Sequence, residues 1–313
     1  MFARLRSPLA ALTAALCSAA LLAPLPALAT KPTKADAFPR AVLWKIEKSG
    51  VKKPSYLFGT AHVSDPKVTQ LSPQVQKAFD DADTVTTEVR IDYNGMLDFA
   101  KRVLMPEGES LASQIDAKHY QKLLPELAAR DYPEVAAKRM KPWAAAMLLM
   151  VPKKKAGDLP LDLMLAKMAI EGGKQYTGLE TISEQASVFE TIPADKQKTL
   201  LYALIDQQPD VDTYYKKLIA LYVQRDVDGI VRFADQDEVT LPAADQAYFN
   251  DWKQKTLIDD RNDRMTERMQ AQLAQGGSFI AVGALHLPGK TGLVAQLKKQ
   301  GYTLTPIDDR KRK

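Results

Sequence analysis

Two stretches constrain this chain more than any other: YLFGTAH at Tyr56–His62 and FIAVGALHL at Phe279–Leu287. Each is a short apolar run followed by Gly-x-x-His. Runs of that length, bounded by glycine, read as strands buried on both faces, and such strands belong to sheets covered by helices. Gly59 and Gly283 sit three residues ahead of the histidines. Glycine there permits a sharp exit from the strand and close approach of the backbone to whatever the histidine holds. The chain has only three histidines. His62 and His286 share this setting, whereas His119 lies in an amphipathic helical pattern and reads as a surface or packing residue.

Further strands are expected at AVLWKIEK, TVTTEVR, QYTGLE and YTLTPI. SGVKKPS supplies the turn of a hairpin between AVLWKIEK and YLFGTAH. Ser72, with Pro73 behind it, opens a helix. Between the strands, the pattern over about 94–174 and again over about 182–275 is helical, the second stretch closing with one long helix through DWKQKTLIDDRNDRMTERMQAQLAQ. Strands early, in the middle and late, separated by long helical stretches, describe an α/β domain over 40–313 interrupted by a helical insertion. The two strand–GxxH–helix units have the look of related halves.

The amino terminus sets the compartment. Arg4 and Arg6, the apolar run Leu9–Leu22 and the small-residue site Ala27–Ala29 make residues 1–29 a secretory signal peptide, with 30–39 as a polar linker. The reading is therefore of a secreted or periplasmic protein. Cleavage removes Cys17, the only cysteine, and with it thiol chemistry and any Cys-ligated zinc site. With 43 basic against 38 acidic residues, nothing asks for a nucleic acid. No later segment is long and apolar enough to be a transmembrane helix.

Ligand sites in α/β sheets collect at the carboxyl ends of strands. Four reactive side chains fall there: His62, Glu88, Glu180 and His286. Two imidazoles and a carboxylate suit a first-row divalent metal ion with positions left open for water. No phosphate loop, serine elbow or HExxH helix is present. Arg261 and Asn262, taken alone, read as part of an exposed charge run.

LFGTAHVS, TTEVR, KPWAAA, GLETISEQ, DDRNDRM and VGALHLPGKTGLVAQLKKQGY, in that order, resemble the TraB/GumN family, which includes the Tiki-type proteases. The resemblance spans nearly the whole chain after the linker. It implies a fold similar to the erythromycin-esterase and ChaN-like α/β group, a mixed sheet built from two related halves. For the Tiki branch it implies a divalent-metal-dependent protease acting outside the membrane on a peptide or protein substrate. Residue by residue, His62 and His286 match the GxxH histidines, Glu88 the acid after the second strand, Glu180 the GLE motif, and Arg261 with Asn262 the RN motif. His62, Glu88 and His286 are then the expected metal ligands. Glu180, Arg261 and Asn262 are the expected catalytic groups, with either glutamate open to ligation or to general-base work. The rival expectation is a non-catalytic periplasmic binding protein for a peptide or metal-bearing ligand.

Overall fold

A computed structural model describes residues 37–310, except 91, 154–158 and 237–238. The expected signal peptide and most of the expected linker lie outside the described residues. Six strands form one mixed sheet in the order β4-β3-β5-β2-β1-β6. They are β1 (Leu43–Glu47), β2 (Ser55–Thr60), β3 (Thr84–Arg90), β4 (Gln175–Thr181), β5 (Ser278–Gly283) and β6 (Thr303–Ile307). β1 and β2 are the expected hairpin, and β6 adds antiparallel to β1. The other four strands run parallel, with β5 between β3 and β2. The mixed α/β class read from the sequence is thus the observed one.

Alternation within β5 shows why these residues make a central strand. Phe279 and Ala281 join a core with Phe58 and Val85 on one face of the sheet, while Ile280 and Val282 join Leu57, Trp44 and Leu179 on the other. Every residue of β5 is buried, as a parallel strand covered on both faces must be. Helix Pro73–Asp81 and the helices spanning 161–171, 211–223 and 227–234 supply the first face; residues 265–273 and 293–297 supply the second. A third apolar core sits within the helical region, around Trp143, Phe189, Phe249 and Trp252.

Local chemistry sets the helix starts. Ser72 caps its helix by accepting from Val75 N at 3.2 Å, with Pro73 in the first turn. At the end of β4, Thr181 and Glu184 form a capping box that launches helix Ile182–Glu190 directly from the strand. The expected single long helix before β5 is broken. Helix Ala243–Trp252 passes into a π-helical stretch, Lys253–Asp259, before α-helical geometry resumes at Asp260–Arg268 and a last short helix ends at Gln275. Such π segments are rare and concentrate at functional positions. Arg261 and Asn262 lie two and three residues past the end of this one.

Candidate functional site

The parallel pairing brings the carboxyl ends of β2, β3, β4 and β5 to one edge. Thr60 lies beside Gly283 across β2 and β5, and Val89 beside Glu180 across β3 and β4. Glu88 and Glu180 belong to their strands, and His62 lies two residues past β2. His286 closes a 3-10 turn, Ala284–His286, right after β5. All four are buried, from 0% exposed at His286 to 8% at His62.

Arg261 and Asn262 correct the reading of an exposed charge run: they are 1% and 0% exposed. Arg261 is the hub. Its guanidinium pairs with Glu88 and with Glu180 Oε2, the latter through Nε at 3.0 Å and Nη2 at 2.6 Å. Arg264 grips the other oxygen of Glu180 through Nε at 3.0 Å and Nη2 at 2.6 Å. Glu180 therefore has both oxygens committed to guanidinium groups. Burial lowers the tendency of Arg261 to stay charged, but Glu88 and Glu180 outweigh it and hold the cation firmly.

Glu88 is held from three further sides. Gln185 Nε2 donates to Oε1 at 2.8 Å, and Gly283 N donates to Oε2 at 2.8 Å. His286 Nε2 stands 3.9 Å from that second oxygen. Burial pushes the Glu88 carboxyl up, but Arg261, His286, His62 and the Gly283 amide together bring it down to about 2. It is an anion at any ordinary pH.

The two histidines are locked in the same way by different partners. Asn262 donates its amide to Thr291 O at 3.0 Å, which turns its carbonyl oxygen to His286 Nδ1 at 2.7 Å. His286 Nδ1 then carries the proton and Nε2 the lone pair, toward which Arg261 Nη1 reaches at 3.4 Å. Burial, with Arg261 and His62 acting in the same sense against Glu88, pushes this imidazole down to about 3. It is neutral. His62 Nδ1 meets Asp162 Oδ2 at 2.5 Å. Burial alone would lower this imidazole, but Asp162 and then Glu88 raise it, while Arg261 opposes them. His62 Nε2 is buried and has no hydrogen-bond partner among the described residues.

The glycines divide. Neither Gly59 nor Gly283 has a positive φ. A Cβ on Gly59 would stand 2.6 Å from Leu287 Cδ1 and 3.1 Å from Ala284 Cα, so close approach explains this glycine. Gly283 acts through its amide on Glu88. His119 lies far along the chain from these strand ends, capped between Asp116 and Asp206 and stacked on Tyr202.

Several site residues escaped the sequence reading. Asp162 is the one acid in the first turn of a helix whose other charges, Lys167 and Glu171, lie toward its far end, and that isolation was the available signal. Gln185 follows the capping glutamate of GLETISEQ, and Arg264 lies three residues after Arg261, one helical turn on. Tyr222, from a distant helix, donates to Gly59 O at 2.8 Å, and nothing local in its sequence announces that contact.

The donor chemistry suits a first-row divalent ion: two imidazole Nε2 atoms whose Nδ1 atoms are tied to Asp162 and Asn262, beside an ionised Glu88. Histidine ligands to metals are held in this manner by their second nitrogen. Among the described residues, no group of three or more His, Cys, Asp or Glu side chains is gathered tightly enough to hold an ion as it stands. Arg261, in contact with both Glu88 and His286, is the competing cation.

The model of the TraB/PrgY/gumN family matches residues 42–306. Metalloprotease TIKI1 of Danio rerio is 26% identical over 307 residues, covering 83% of this chain and 62% of the relative. Metalloprotease TIKI2 of the same organism is 26% identical over 317 residues, covering 83% and 60%. The Metalloprotease TIKI homolog of Amphimedon queenslandica is 22% identical over 324 residues, covering 87% and 62%. The chain thus spans about six-tenths of the length of these relatives. No solved structure matches it. The family match runs from the first strand to the last and takes in every residue of the buried cluster: this chain belongs to the TraB/PrgY/gumN family.

Proposed function

We propose that this chain is an exported, metal-dependent hydrolase that cleaves peptide bonds. The observation that carries the reading is the buried Nε2 of His62, without a hydrogen-bond partner among the described residues, its other nitrogen tied to Asp162, in electrostatic contact with Glu88. The relatives' printed names, which are those of metalloproteases, support it. His62 and His286, with Glu88, would hold a first-row divalent ion. Such an ion, when bound, supplies a nucleophilic hydroxide by lowering the pKa of its water to about 7.

The chain's own residues then have defined work. When the rings are neutral, Asp162 and Asn262 hold the proton on each Nδ1 and leave Nε2 bare. Gln185 and Gly283 fix the Glu88 carboxylate. Glu180 and Arg264 orient Arg261, whose donors would face negative charge developing on a peptide carbonyl oxygen. With both oxygens engaged, Glu180 is better suited to orienting than to general-base work. Burial of the whole cluster excludes bulk water, so a peptide reaches it only after the covering segments separate. Export rests on residues 1–29, and kinship with the erythromycin-esterase and ChaN-like group on the resemblance alone.

One observation favours the alternative of a non-catalytic binding protein: the ion pairs are saturated and the cluster is closed. A single experiment separates the two. The purified chain is incubated with a mixed peptide library and Mn²⁺, Co²⁺ or Zn²⁺, with and without a chelator, and products are read by mass spectrometry. Cleavage that the chelator abolishes, and that His62→Ala lacks, is the expected result. Peptide binding without cleavage under every ion would replace the hydrolase with the binding protein.

A further inference from the structure

We infer that Asp162 is the positioning residue of this site, fixing the His62 ring with Nδ1 protonated and Nε2 bare. The inference rests on the metal-site reading above for its purpose, but its geometry is independent of it. Asp162 comes from helix Leu161–Glu171, a hundred residues from His62 in sequence. One carboxylate oxygen accepts from Thr60 Oγ1 at 2.6 Å, and the other faces His62 Nδ1 at 2.5 Å. Thr60 and His62 flank Ala61 at the exit of β2, so one carboxylate spans the turn that aims the imidazole. Leu161 N, donating to Val63 O at 3.1 Å, fixes the start of the helix against the same turn.

This is more than packing. Apart from Asp162, the helix meets the protein through Leu161, Leu165, Ala166 and Ala169, which would anchor it without any acid. A carboxylate placed there gives up hydration, and both its oxygens go to the β2 exit. The consequence falls on the far nitrogen. With Nδ1–H donated to a carboxylate, the neutral ring can present only a lone pair at Nε2, and that atom is buried with no hydrogen-bond partner among the described residues. A neutral imidazole free of such a bond is able to place its proton on either nitrogen. Carboxylate, imidazole and vacant lone pair are what metal-ligating histidines use elsewhere, where losing the carboxylate costs about 10–100-fold in metal affinity.

Two readouts test it on the whole mature chain. The first is nitrogen-detected NMR of the histidine rings in metal-free protein, at a pH alkaline enough for the His62 ring to be neutral. His62 should show a protonated Nδ1 and a bare Nε2, and Asp162→Ala should shift the proton toward Nε2. The second is calorimetric titration with Mn²⁺ and Zn²⁺, where Asp162→Ala should bind about 10–100-fold more weakly. Asp162→Asn, nearly isosteric, serves if the alanine variant fails to fold, and should lose affinity because an amide polarises the ring less than a carboxylate does. A parent with its proton on Nε2, or variants with parental tautomer and parental affinity, overturns the inference. If the parent binds neither ion yet shows the expected tautomer and its shift in the variant, the metal reading fails and the positioning role stands.

Discussion

At the scale of single residues, the cluster is a balance of buried charges, and removing one side of it should be costly. Glu180 has both oxygens on guanidinium groups, and Arg261 is 1% exposed. Glu180→Ala leaves Arg261 with Glu88 alone and should destabilise the fold by about 3–5 kcal/mol in urea titration; parental stability would show the pairs to be energetically idle. Acid should act through the same cluster. The unfolded chain protonates His286 near 6.5, but the folded site holds it neutral down to about 3. Stability attributable to His286 is therefore lost as pH falls below about 6.5. For Glu88 the loss runs from 4.5 toward about 2. His62, raised in the folded state, works the other way and stabilises below 6.5. In chelator, His286→Gln should thus lose less stability than the parent between pH 6.5 and 4.5, by about 1–3 kcal/mol. An identical pH dependence in both proteins would contradict the assignment. At Gly59, where the sequence suggested either a special φ or a close approach, the structure selects close approach. Gly59→Val should cost about 1–3 kcal/mol by overpacking against Leu287 and Ala284.

Among the elements, strands were legible and the helix carrying Arg261 was not. β3 announces itself through its alternating β-branched residues and β5 through a short apolar run stopped by Gly283, because residue period, run length and a turn residue are local properties. The π-helical stretch Lys253–Asp259 is set by what its flanks must reach: Trp252 packs in the helical region, while Arg261 must turn to Glu88 and Glu180. No local pattern records that constraint, so the segment read as one regular helix with a charged face. Its burial appeared only once the sheet was assembled.

For the whole molecule, the order of the parallel strands decides whether distant residues meet. Matching Gly-x-x-His settings suggested that His62 and His286 leave neighbouring strands, and β2 does pair with β5. Asp162 and Tyr222 reach the exit of β2 from helices distant in sequence, and Gln185 reaches Glu88 on β3 from the helix that leaves β4; which strand each meets is decided by tertiary assembly, which is why sequence alone passed over them. Export belongs to this scale too: N-terminal sequencing of protein from an exporting host should begin at Thr30, and an intact Met1 would remove the compartment on which the reading depends. The central claim is that the two GxxH histidines and Glu88 serve one divalent ion. Anomalous diffraction at the metal edge, from crystals of the mature chain soaked with Mn²⁺ or Zn²⁺, tests it most directly. The account predicts one peak about 2.0–2.2 Å from the Nε2 atoms of both His62 and His286, with Glu88 adjacent. A peak bound elsewhere, or none while Arg261 keeps its hold on Glu88, would contradict it.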